Sequence, residues 1–221
     1  LYTLIFSEII GIRFREVAGD SALNFGLYLY CGLIPFLAFS DAVNGAINSV
    51  RRNTALVQKV VFPLEILPAT KAISTVVDKV FGLAVLIAVV AILEGRLNWT
   101  VLLFPAIFAV QLVFTLGLSY LFAVIGTYLP DAREMLRSIV RVSFFVTPII
   151  WPPELAEERG LDVVVDYNPL AFLVGAYRNL VLDGAFPDPT AFMWFSLFAV
   201  ALFVVGFALF ARVKRRFPDL L

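Results

Sequence analysis

The sequence contains no histidine and one cysteine, Cys31. The first absence removes histidine-dependent triads and histidine metal sites. The second removes an internal disulfide and any cysteine-based zinc site. Charge is scarce too: 15% of the 221 residues are Asp, Glu, Lys or Arg, and 17 cationic side chains balance 17 anionic ones. A balanced chain has no bulk basicity for nucleic acid. It also lacks the G-x-x-x-x-G-K-[ST] phosphate loop of ATP-hydrolysing motors, so it is not a motor by itself.

What fills the chain is apolar. Hydrophobic residues make up 61% of it, with 22 Phe, and the mean hydropathy is +0.94. Soluble domains hold roughly 45–50% apolar and about 25% charged residues, so this is the composition of an integral membrane protein. Runs at 24–48, 72–93, 99–128 and 190–212 each reach the roughly 20 residues that span a bilayer. A fifth crossing is expected over 135–151, where Arg141 and Pro148 interrupt a short run. The opening "LYTLIFSEIIGI" (1–12) is too short to cross and reads as the distal end of a first span. The expected fold is therefore all-α, a six-span transmembrane domain in a single unit.

Loop charges orient it. The linkers at 49–71, 129–141 and 212–221 hold eleven basic residues, against five in those at 13–24, 94–98 and 152–189. The positive-inside rule puts the first set in the cytoplasm, with both termini of the full-length chain there. Between 152 and 188 the chain is proline-bounded and acidic. It then places Leu170, Leu173, Val174, Tyr177, Leu180 and Val181 at helical spacing, over about 14 residues or ~21 Å. Such a helix is too short to cross, and is expected to lie in the outer interface or to enter and return.

The first basic linker, "RRNTALVQKVVFPLEILPATK", holds Pro63 and Pro68. They limit it to a short surface helix over 51–62, with Leu56, Val60 and Val61 inward and Arg52, Gln58 and Lys59 exposed; the next span is expected from about Lys71. A solvated topology signal and a docking element are both open readings of that helix. Among charges inside spans, Asp41 and Lys79 fall at similar depth and are expected to pair, whereas Asp78 points elsewhere.

The segments "LIFSEIIGI", "NTALVQKVVFPLEILP", "YLPDAREML", "FFVTPIIW", "DYNPLAFLVGAYRNLVLDG" and "ARVKRRFPDLL", in this order, resemble the permease subunit of polysaccharide-exporting ABC transporters, the ABC type 2 membrane family that exports O-antigen, capsule or teichoic acid. The resemblance implies a homodimer in the bacterial inner membrane, paired with two copies of a separate ATPase that binds ATP and Mg. The permease itself would bind no cofactor or metal and would move a lipid-linked glycan. It further implies that the first basic linker is the coupling helix, with Arg52 beside the matching residues Asn53, Leu56, Val57, Lys59, Phe62, Pro63 and Glu65. The order Pro130, Asp131, Ala132, Arg133 departs from the family's Arg-Asp pair and leaves a helix-capping role for Asp131 equally open.

Residues 152–188 correspond to the family's re-entrant helices. There Asn168, Pro169 and Arg178 match, and Arg178 reads as a phosphate contact or as a snorkelling anchor. Aromatic faces suit sugar rings, which makes Tyr28, Tyr30, Phe36, Phe39, Phe114, Tyr120, Phe144, Phe145, Trp151 and Tyr167 the candidates for the path. Three other functions remain open on the residues: a proton-coupled transporter using Asp41 or Asp78, an intramembrane enzyme acting on lipid-linked sugars, and a type 2 exporter of a lipid or drug.

Overall fold

The computed structural model describes residues 22–59, 62–95 and 98–220. The expected remnant of a first span at 1–12 lies outside them, as do Val60 and Val61. Among the described residues the fold is all helix, with no strand. In chain order, α1 is Ala22–Ile47, and a 3-10 turn, Arg51–Asn53, leads into α2, Thr54–Lys59. Helix α3 is Ile66–Glu94, and Trp99–Leu103 forms a 3-10 turn before α4, Phe104–Tyr128. Helix α5 is Ala132–Val146, followed by the short α6 (Glu154–Glu157) and α7 (Asp162–Asp166). Helix α8, Pro169–Arg178, continues as a π turn through Asp183, and α9 (Pro189–Val213) precedes α10, Phe217–Leu220.

Four stretches are long and apolar enough to cross a membrane: Phe25–Ile47, Ile66–Leu93, Trp99–Tyr128 and Pro189–Arg216. They match four of the expected spans, with one revision. Helix α3 begins at Ile66 and contains Pro68, where the span was expected from Lys71. The first N–H groups of a helix have no intrahelical acceptor, so a proline in the first turn costs no hydrogen bond.

The fifth expected span, 135–151, is the larger correction. Helix α5 has 15 residues, about 22 Å at 1.5 Å per residue, and it stops at Val146. Pro148 cannot donate, and it drives the residue before it out of the helical region. Thr147 is accordingly extended, with ψ 136°. The segment is a short helix followed by a non-helical strip, not a helix through Trp151, and it is not among the four stretches long and apolar enough to cross. Asp131 does stand at the N-cap of α5, but its side chain accepts no capping hydrogen bond.

Helices α1, α3, α4 and α9 pack side by side. One end of the bundle gathers the finish of α1, the start of α3 and the finishes of α4 and α9. Tyr128 donates to the Val213 carbonyl there (3.4 Å), and Lys214 pairs with Glu65. This is the basic end. At the far end Thr100 donates to the Leu180 carbonyl at 2.8 Å. Close approach is built on glycine. A Cβ on Gly206 would meet the Gly117 carbonyl oxygen at 2.4 Å, and one on Gly126 would meet that of Ile47 at 2.2 Å. Lipid supplies little hydrophobic force between helices, so such contacts do the work of association.

Substituting Gly206 by Val is therefore expected to force α4 and α9 apart, destabilising the fold by about 1–3 kcal/mol. Thermal unfolding of the detergent-solubilised protein should show a clear loss. Gly175→Ala, where a Cβ meets nothing within 4 Å, should leave the transition unmoved or slightly raised.

Candidate functional site

At the basic end the α2 segment lies across the bundle with one face inside. Asn53 donates from its side chain to the Ser49 carbonyl (2.7 Å) and Thr54 to that of Arg51 (2.7 Å), which tightens the turn into α2. Val57 is buried in a cluster with Val50, Leu64, Tyr120, Phe210 and Phe217, against which Phe62 is also packed. Arg52, Ala55 and Gln58 point outward, Pro63 is exposed, and Asn53 and Leu56 are half-buried. The inward residue is thus Val57, where the spacing had pointed to Leu56; α2 ends at Lys59 and does not run to 62.

Glu65 is also occupied within the fold. Its carboxylate accepts from the Lys214 ammonium, and its backbone carbonyl accepts from the Tyr120 hydroxyl at 3.3 Å. Burial raises the Glu65 carboxyl, but the Lys214 hydrogen bond, the residue's own backbone N–H and the Lys214 charge outweigh it, so its pKa is lowered from 4.5. Of the proposed coupling residues, Val57, Phe62 and Glu65 face the protein. Arg52 and Pro63 face out, with Leu56 at the margin. Helix α10, which carried no expectation, packs on α2 through the fully buried Phe217.

Further along α1, Lys79 Nζ lies 3.0 Å from Asp41 Oδ2, bridging α3 and α1. Both side chains are part-exposed, and Asp41 belongs to a stripe of α1 that includes Tyr30 and Leu37. The candidate aromatics divide sharply. Phe36, Phe39, Phe114 and Tyr120 are core residues, each no more than 5% exposed. Phe39 stacks on Phe114 at 5.8 Å, and Tyr120 meets Phe203, Phe207 and Phe210. Phe144 packs edge-on to Phe36. These rings pack between helices in this structure. Tyr30, Phe145 and Tyr167 are exposed. Phe145 and Trp151 wall a cavity of about 400 Å³ with Leu155, Arg159 and Leu161, and the Trp151 indole N–H donates to the Phe145 carbonyl at 3.0 Å.

Arg178 overturns both readings offered for it. Its side chain is 6% exposed, so it neither snorkels nor meets a headgroup. It donates from Nη1 to the Pro148 carbonyl and from Nη2 to the Ile149 carbonyl, both at 2.8 Å, and its guanidinium lies 3.5 Å from the Tyr28 ring centre. Gly32 makes room for it, since a Cβ there would stand 2.9 Å from Nη2. The six apolar positions from Leu170 to Val181 are all buried, the face that their spacing marked. The "NP" pair opens α8: Asn168 Oδ1 accepts from the Leu170 N–H at 3.0 Å, and Pro169 takes the first helical position. Asn168 also donates to Thr147 Oγ1 at 3.1 Å. Tyr177 donates to Gln111 Oε1, and Gln111 donates to the Pro35 carbonyl at 3.0 Å. Helix α8 is thereby fixed to α4 and α1.

Residues 1–182 match the family described as ABC-2 type transporter. Among curated proteins, the O-antigen export system permease protein RfbA of Myxococcus xanthus is 25% identical over 94% of this chain and 80% of its own length. The protein of the same name from Klebsiella pneumoniae is 26% identical over 99% of this chain and 84% of its own. The polysialic acid transport protein KpsM of Escherichia coli is 23% identical over 95% and 80% respectively.

Replacing Arg178 by Leu strips two buried carbonyls of their donors, at about 1–3 kcal/mol each. A loss of roughly 2–5 kcal/mol in thermal stability is expected; an unchanged transition would show that the guanidinium is dispensable to the fold. The Glu65–Lys214 pair carries a pH signature. A carboxyl whose folded pKa is lowered stabilises fully above its unfolded value of 4.5, and that contribution is lost as pH falls through the lower folded value. Acid unfolding of Glu65→Gln should therefore lose part of the wild type's pH dependence below 4.5, read as the difference between the two melting curves.

Proposed function

The chain belongs to the ABC-2 type transporter family, and we propose that it is the membrane-spanning permease of an ATP-driven exporter that moves lipid-linked polysaccharide of the O-antigen, capsule or teichoic acid type. The observation that carries this reading is the α2 segment, set across the basic end with Val57 inside the bundle and Arg52, Ala55 and Gln58 outside it. A surface of that kind offers a rigid handle to a partner. The sequence has no phosphate loop of its own, so ATP and Mg belong to a separate ATPase, two copies of which serve a permease homodimer. In this reading the permease is not an enzyme. The basic end faces the cytoplasm, with both termini of the full-length chain, in a bacterial inner membrane.

Relatives named for O-antigen export and polysialic acid transport, matched over nearly the whole chain, support polysaccharide as the cargo over a lipid or drug. A proton relay at Asp41 is disfavoured, because its carboxylate is already engaged by Lys79 at 3.0 Å.

Reconstitution of the full-length protein with and without its ATPase tests the reading. Glycan export that requires ATP and both proteins is expected, and export driven by a pH gradient without the ATPase would sink it. Within that assay, Arg52→Glu combined with Gln58→Glu should cut ATP-dependent export at least about tenfold, equivalent to ~1.4 kcal/mol of lost coupling, while the permease's thermal stability stays unchanged. Val57→Asp should instead destabilise the permease itself, and Phe62→Asp, half-buried on the same cluster, should do so as well.

A further inference from the structure

Arg133, Arg137 and Arg141 recur at four-residue intervals along α5 and so form one row on its surface. Two contacts fix where that row faces. At the base, Arg133 donates to Asn48 Oδ1 at the end of α1 (3.5 Å); three turns on, Phe144 meets Phe36 of α1 (5.2 Å). The helices are antiparallel, so Arg137 stands level with Asn44, and Arg141 level with Ser40 and Asp41. At 3.6 residues per turn the row drifts about 40° with each step of four. That drift carries it past the α1 contact toward the exposed stripe of α1. Helix α3 borders the other side of the stripe, held there by Lys79 on Asp41. The result is a groove floored by α1 and walled by α3 and α5.

The charges in this groove do not cancel. Asp41 is satisfied by Lys79, and Glu134 pairs with Arg137. Three arginines less one glutamate leave two positive charges on the α5 wall. Arg141 is exposed, with no hydrogen-bond or ion-pair partner among the described residues. Opposite, Asn44 Oδ1 is buried without a partner. Arg141 lies about 12 Å beyond Arg133 along α5. A topology signal needs its charge at the helix base, which Arg133 supplies, and an arginine turned to lipid at a helix centre costs about 2.5–3.5 kcal/mol.

We propose that this groove carries an anionic phosphate group, the diphosphate that joins a glycan to its lipid, and that Arg141, with Arg137 one turn below, is its ligand. The inference rests on the polysaccharide-export reading above and adds the chemistry recognised. Guanidinium forks match phosphate oxygens in pairs: Arg141 is the unpaired fork, and Arg137, one turn below and shared with Glu134, supplies the second.

The test uses the full-length permease with its ATPase in proteoliposomes, titrated with a neutral glycan on a polyprenyl diphosphate and, separately, with the same glycan on a neutral lipid anchor. Arg141→Gln is expected to raise the concentration of the diphosphate probe giving half-maximal ATPase stimulation about tenfold, the loss of one charge-assisted interaction. Arg141→Lys should raise it less, and the neutral-anchor curve should not move. An unchanged diphosphate curve in Arg141→Gln overturns the assignment and leaves the export reading intact. Equal losses with both probes also overturn it, as the mark of a structural role. A shift that appears only when the glycan itself is acidic assigns the groove to sugar carboxylates and overturns the phosphate. Failure of every glycolipid to stimulate or be exported by the wild-type complex removes the export reading, and this inference with it.

Discussion

The guanidinium of Arg178 satisfies two backbone carbonyls that the early end of α5 leaves without helical donors. In hydrocarbon each peptide group has to be satisfied by the protein, so a crossing that is not helical throughout needs donors from elsewhere. Pro148 ends α5 early, and the carbonyls of Pro148 and Ile149 are left without helical partners. Arg178 supplies two donors at 2.8 Å, with the Tyr28 ring beneath it and Gly32 leaving the space. A buried charge is costly unless held by hydrogen bonds and by a polarisable neighbour. Here both are provided by segments that are far apart in sequence. The position of α8, and through the buried Tyr177–Gln111–Pro35 chain its attachment to α4 and α1, follows from that arrangement.

Aromatic residues illustrate how little residue type says about location in a chain with 22 Phe. Phe36, Phe39 and Phe114 occupy the seam between α1 and α4, where flat rings fill space at offset and edge-on angles. Tyr120 does the same at the basic end, with its hydroxyl spent on the Glu65 carbonyl. The rings left exposed, Tyr30, Phe145 and Tyr167, border the α1 stripe or the far-end segment. Those three present their faces outward, whereas the faces of the core four are occupied by neighbouring side chains.

Features governed by local periodicity were legible in the sequence. The four long spans, the buried face from Leu170 to Val181 and the capping of α8 by Asn168 and Pro169 follow from hydropathy, from 3.6-residue spacing and from proline at the first helical position. The depth argument that set Asp41 beside Lys79 belongs to the same class, because rise per residue converts sequence position into height. Features governed by what lies alongside were not legible. Whether Val57 or Leu56 turns inward depends on the arrival of Phe217 from the far end of the chain. Arg178 beside an apolar run has the pattern of an interfacial anchor, and only the placement of residues 148–149 against α8 makes it internal. The early end of α5 was signalled by Pro148, but the hydropathy that continues to Trp151 masked it.

The basic end explains how a push on α2 could reach the groove. Val57 shares a cluster with Leu64, Tyr120, Phe210 and Phe217, so α2 is bedded on the bases of α4 and α9 together. Lys214 ties that cluster to the start of α3 through Glu65, and Arg51 reaches the Thr127 carbonyl at 3.4 Å. Gly126 brings α4 into contact with the end of α1. These contacts join α2 to the ends of α1, α3, α4 and α9 as one packed block. Helix α5 is attached differently, through Arg133 to Asn48 at its base and through Phe144 on Phe36 higher up. The two walls of the groove, α3 within that set of contacts and α5 beside it, therefore have different anchors. In the coupling reading, relative displacement would fall between them, at the height where Arg141 stands level with Asp41 and Lys79.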